Sequence, residues 1–63
     1  MTDFEQTILE LLAGPDRNTY NDVRRQDGAA TWQAYLHLRR NGYVHQNGIP
    51  TEKGNAYLEG LDA

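Results

Sequence analysis

The apolar positions change their spacing along the chain, and each change marks a new element. Phe4, Ile8, Leu11 and Leu12 recur at the spacing of one helical stripe, with Leu9 at its edge. Thr2 followed three residues later by Glu5 has the form of a capping box. Gly14 suits a left-handed cap and Pro15 cannot continue a helix, so the pattern predicts a first helix over residues 3–13. Asp16-Arg17-Asn18 then reads as a polar loop. Thr19 is a good N-cap for a short second helix from Tyr20 to Gln26, with Asp22 near the end that favours an anion. Tyr20 and Val23 are its large inward residues.

Asp27-Gly28 is a turn signal, and Asp27 is placed to cap a third helix over residues 28–41. Gly42 stands where a left-handed residue closes a helix. On this helix Thr31, Tyr35 and Leu38 share one side, and Ala29, Ala30, Gln33, His37 and Arg40 share the other. Trp32 and Leu36 lie between. Packing against the first or second helix is the expectation for both; the alternative is an exposed apolar patch of the kind that marks an interface. Tyr35, Tyr43 and Tyr57 read as core-edge aromatics whose hydroxyls reach water.

The spacing then shortens to alternation in Tyr43-Val44-His45-Gln46. Asn47-Gly48 is a strong hairpin signal, because both residues tolerate positive φ. Ile49-Pro50-Thr51 would return as a short edge strand, since Pro50 donates no backbone hydrogen bond. Thr51 would cap a fourth helix over residues 52–59, with Gly54, Tyr57, Leu58 and Leu61 on one side. The predicted fold is mainly α with one two-stranded β-hairpin (α+β), in the order α-α-α-β-β-α, as a single domain over residues 1–63.

Composition narrows the chemistry. A chain of 63 residues has room for one core, and a domain of that size buries only about 60% of the surface its unfolded chain exposes. The absence of cysteine excludes disulfides, thiolate zinc sites and a cysteine nucleophile. His37 and His45 are the only histidines and no third ligand is obvious beside them, so no metal site is predicted. No apolar run approaches the roughly 18 residues of a membrane span, and no secretory leader pattern is present; the expectation is a soluble, cytoplasmic protein. Met1 and a helix that runs almost to the last residue fit a complete small protein and an excised domain equally. No glycine loop after a strand and no nucleophile-bearing turn is found, so neither an enzyme, a cofactor nor a small-molecule ligand is indicated.

The net charge of −3 argues against a polyanionic partner, and its distribution argues for one. Residues 1–16 carry Asp3, Glu5, Glu10 and Asp16 and no base. All six bases, Arg17, Arg24, Arg25, Arg39, Arg40 and Lys53, fall within residues 17–53, against Asp22, Asp27 and Glu52. Glu59 and Asp62 close the chain. The field of the docking face, not the total charge, governs attraction to a polyanion. Two short helices joined by a tight turn, with a polar face on the second, also form the unit that places a helix in a major groove.

Longer stretches carry a resemblance. Ile8-Leu9-Glu10-Leu11-Leu12, Thr19-Tyr20-Asn21-Asp22-Val23, the run Tyr35 to Val44 through Arg39-Arg40-Asn41-Gly42-Tyr43, and Pro50-Thr51-Glu52-Lys53-Gly54 together resemble a winged helix-turn-helix domain. Such domains occur in many small bacterial, archaeal and viral transcription regulators. Pro50 and the brevity of the turn depart from the usual wing, and Gly28-Ala29-Ala30 lacks the polar residues usual at the front of a recognition helix.

The resemblance implies double-stranded DNA as partner, with the helix over residues 28–41 in the major groove. Gln33, His37 and Arg40 would then face base edges, since Gln matches adenine and Arg guanine, and Ala29 would permit close approach. Arg24, Arg25 and Arg39 would hold phosphates, and His45 and Lys53, flanking the wing, would touch the backbone. Ordinary solvated charges on an amphipathic helix are the plainer reading of the same residues. The same scaffold also serves as a protein–protein interaction module without DNA. A domain this small covers few base pairs, so a homodimer is a further expectation. Leu9 and Leu12 on the first helix, with Leu58 and Leu61 on the last, are offered as its interface, and Trp32 with Leu36 as additional apolar surface. Glu5, Glu10, Glu59 and Asp62 oppose such pairing unless Arg17 intervenes.

Overall fold

The computed structural model describes residues 1–14 and 17–61, with the side chains of all these except Arg17, Asn18 and Leu61. The expected roles of Pro15, of the loop residue Asp16, of Arg17 and Asp62 in charge balance, and of the Leu61 side chain lie outside the described residues.

Helix α1 spans Asp3–Ala13. The Thr2 hydroxyl accepts the Glu5 N–H at 3.1 Å and donates to Glu5 Oε1 at 3.1 Å, so the capping pair closes through the hydroxyl. Ile8, Leu9 and Leu12 are buried, Leu11 is half-buried and Phe4 is exposed. Leu9 is thus central rather than at the edge of the stripe. The reason is tertiary: α1 touches all three other helices, and the widened contact arc swings past Phe4 to take in Leu9. Gly14 is extended (φ −77°, ψ 163°) instead of left-handed, with its N–H donating to Glu10 O. It precedes a proline, which disfavours helical geometry in the residue before it.

Helix α2 spans Arg17–Gln26, beginning before the expected Thr19 cap, so Thr19 lies inside it. Arg and Asn impose no break on a helical turn, and the polar loop is correspondingly shorter. Asp27 alone separates α2 from helix α3, Gly28–Arg40. Asp27 Oδ1 accepts the Ala30 N–H at 3.2 Å, as the sequence predicts for a cap. At the other end Gly42 takes φ +82°. Its N–H donates to Arg39 O, and the Tyr43 N–H reaches back to Leu38 O at 2.9 Å, which together form a Schellman closure.

The segment between α3 and the last helix corrects the predicted fold. Among the described residues there is no sheet, no two-stranded hairpin and so no wing; a single antiparallel bridge joins Val44 to Pro50. The backbone explains why. A ladder would need the Tyr43 N–H, which the cap of α3 has taken, and the Ile49 N–H, which donates to Asn47 Oδ1 at 3.1 Å. His45 O, the other candidate acceptor, receives the Gly48 N–H instead. Gly48 has φ +85°, but Asn47 does not adopt positive φ, so the reversal is not the two-residue turn that Asn-Gly suggested. Pro50 has no N–H to offer a further strand.

Helix α4 spans Glu52–Leu61, two residues beyond the expected end. Thr51 Oγ1 accepts the Gly54 N–H at 3.1 Å and caps it. Gly54 is buried, and a Cβ there would overlap the Tyr43 carbonyl oxygen, so α4 approaches the chain after α3 as closely as backbone permits. Helices α1, α2 and α3 pack pairwise on one another and α4 leans on α1. Ile8, Leu9, Leu12, Ala34, Leu38 and Val44 form the core, edged by Tyr20, Val23, Tyr35, Tyr43, Tyr57 and Leu58. Leu9 and Leu12 are therefore not available as a dimer surface. No helix among the described residues is long and apolar enough to cross a membrane.

Candidate nucleic-acid interface

The outer face of α3 is held out by what lies beneath it. Thr31, Ala34 and Leu38 point into the core, and the Thr31 hydroxyl donates to Asp27 O at 2.8 Å, satisfying its buried polar atom. The opposite arc is open: Ala29, Gln33, His37 and Arg40 are exposed, as the periodicity of α3 predicts, while Ala30, expected with them, is half-buried. Trp32 is exposed as well, at 57%, and Leu36 is half-buried. Core packing of Trp32 is thus overturned. Its ring lies on the flank of α3, stacked on Tyr35 with centroids 5.7 Å apart and planes 24° apart.

Tyr35 organises this flank. Its hydroxyl donates to Gln46 O at 2.9 Å, fastening the 45–48 turn to α3, rather than reaching only water. Arg39, half-buried, lies over the same ring at 5.7 Å. A hydroxyl 11 residues from its acceptor leaves no local signal in the sequence.

The structure gathers some of the predicted residues and separates others. His37, Arg40 and Lys53, from α3 and α4, line one hollow of about 520 Å³ with Met1, Thr2, Glu5, Asn41 and Tyr43. Lys53 Nζ donates to Asn41 O at 2.7 Å and sits 4.5 Å from the Tyr43 ring centroid. Glu5 Oε1 lies 3.7 Å from His37 Nδ1, an acidic neighbour that the sequence reading did not foresee. Arg39 and Arg40 share a second cleft, about 370 Å³, with Leu36, Val44 and Gln46. Arg24 and Arg25 are exposed on the last turn of α2; Arg25 is 3.7 Å from Asp22, and Arg24 opens onto a different cleft with Trp32. His45 is exposed in the turn, away from the three-base hollow. Among the described residues no three His, Asp or Glu side chains gather as metal ligands.

Charge sharpens the contrast between faces. All nine acids lie outside residues 28–51, so α3 and the turn after it contain Arg39, Arg40 and two histidines and not one carboxylate side chain. Compared with known proteins, the chain matches no family model, no curated protein and no solved structure.

Proposed function

We propose that this chain binds double-stranded DNA through the outer face of α3 and acts as a transcription regulator in the cytoplasm, as a binding protein and not an enzyme. The observation that carries the reading is the exposed face Ala29, Gln33 and Arg40 on a helix and turn free of acids. A major groove about 12 Å wide admits one helix, and the small Ala29 lets its front come close. Gln33 and Arg40 then reach base edges, with His37 beside them. Arg39, Arg24 and Arg25 supply phosphate contacts, which set position and salt dependence but not sequence. The hollow of His37, Arg40 and Lys53 suits a phosphate, opposed in part by Glu5. The resemblance to helix-turn-helix regulators supports this reading through α2, Asp27 and α3 alone, without a wing. Pairing of two copies on half-sites about 34–36 Å apart would extend the site.

Titration with duplex DNA at two salt concentrations tests it. Arg40→Ala and Arg39→Ala should each weaken binding and flatten the log–log salt slope by about one unit. Unchanged affinity in both variants, with helicity intact by circular dichroism, would count decisively against recognition through α3. Sedimentation equilibrium with and without duplex tests the pairing, which a strictly monomeric mass in both would rule out. A protein partner is the second reading, favoured by the exposure of Trp32 and Ile49. It gains if duplex DNA fails to bind at low salt.

A further inference from the structure

One cleft lies beside the exposed arc of α3 and shares with the proposed DNA contacts only Arg24. It is bounded by Leu12 of α1, Tyr20 and Arg24 of α2, Gly28, Thr31, Trp32 and Tyr35 of α3, and Asn47 and Gly48 of the turn. Leu12 and Thr31 are buried and so form its floor, while Tyr20, Trp32 and Tyr35 give it aromatic walls. Trp32 has one partner ring, Tyr35, and remains 57% exposed. Such a ring has π-surface left for a planar group, and nucleobases of every kind stack on aromatic side chains.

Three properties select the occupant. The volume, about 260 Å³, is at the small end for ligand sites, so the cleft takes one nucleobase and not a folded segment, with a sugar and phosphate left at its open rim. Among the described residues the lining contains no acid and one cation, the exposed Arg24, whose guanidinium matches a phosphate. Asn47 Oδ1 is engaged by the Ile49 N–H, which fixes the amide at the rim and leaves its nitrogen to donate.

We propose that this cleft is a binding site for a free mononucleotide, its base stacked on Trp32 and its phosphate on Arg24. The ligand would touch α2, α3 and the turn at once. It would therefore act as an effector at the junction that orients α3. A proline-rich peptide could also use aromatic walls, but it gains nothing from Arg24.

Trp32 is the only tryptophan of the chain, so its fluorescence reports on this cleft directly. The probes are AMP and UMP, with adenosine, inorganic phosphate, a single-stranded oligonucleotide and a proline-rich peptide alongside. Saturable quenching by at least one mononucleotide is expected, and Arg24→Gln should weaken it about tenfold while leaving the weaker response to adenosine unchanged. The proposal is overturned if neither mononucleotide gives saturable quenching. It is equally overturned if only the oligonucleotide or the peptide responds, if phosphate alone competes as well as the nucleotide, or if a folded Arg24→Gln variant binds the mononucleotide as before.

Discussion

Helices α1 and α3 are of similar length and pack on each other, yet they are fixed by different means. Helix α1 is held by its side chains: Ile8 and Leu9 are fully buried and Leu12 nearly so. It also has a side-chain cap at its start, Thr2, but its closing glycine is merely extended. Helix α3 buries a threonine, an alanine and one leucine, and it is held at its ends by the Asp27 cap and the left-handed Gly42. The largest side chain of the molecule, Trp32, stays outside. In so small a domain apolar burial is scarce, and a helix fixed by its caps and small residues keeps its outer face free for another molecule.

That contrast can be broken, and the largest effect is expected in α1. Leu9→Ala leaves a cavity among three helices and should cost about 2–5 kcal/mol. That is most of what a core of this size supplies, so urea denaturation should find the variant largely unfolded. A loss under about 1 kcal/mol would mean that α1 is not the anchor. Gly42→Ala forces a Cβ into left-handed geometry at about 1–2 kcal/mol, read as a lower midpoint at unchanged slope. Asp27→Ala removes the other end and should cost about 1 kcal/mol. Thermal unfolding that is unmoved by either end variant would show that α3 is held by its buried side instead.

The smallest effect belongs to the largest residue. Trp32→Ala forfeits chiefly its stacking on Tyr35, so about 0.5–1.5 kcal/mol is expected despite the size of the truncation. Should Trp32→Ala destabilise as much as Leu9→Ala, the indole would be a core residue and its exposure misleading.

Much of this architecture was legible in the chain. Capping by Thr2, Asp27 and Thr51 and the left-handed Gly42 rest on contacts between near neighbours, which local spacing determines. The open arc of Gln33, His37 and Arg40 follows from helical periodicity in the same way. The hairpin failed for a reason that periodicity does not contain. The N–H groups of Tyr43 and Ile49 had two possible acceptors each, and competition with the α3 cap and the Asn47 side chain decided between them.

The sequence by itself determined that the four described helices form, in what order, and which residues of α3 point away from its small buried stripe, because these depend on interactions within a few residues. Only the tertiary structure decided the rest. It moved Leu9 to the centre of the core, because α1 touches three neighbours rather than one. It left Trp32 in solvent, because Tyr35 takes the place between α3 and the turn. It gathered His37, Arg40 and Lys53 around Glu5 and set Arg24 beside Trp32. These are meetings of residues far apart in the chain, and their geometry is set by how the helices pack, which no local pattern specifies.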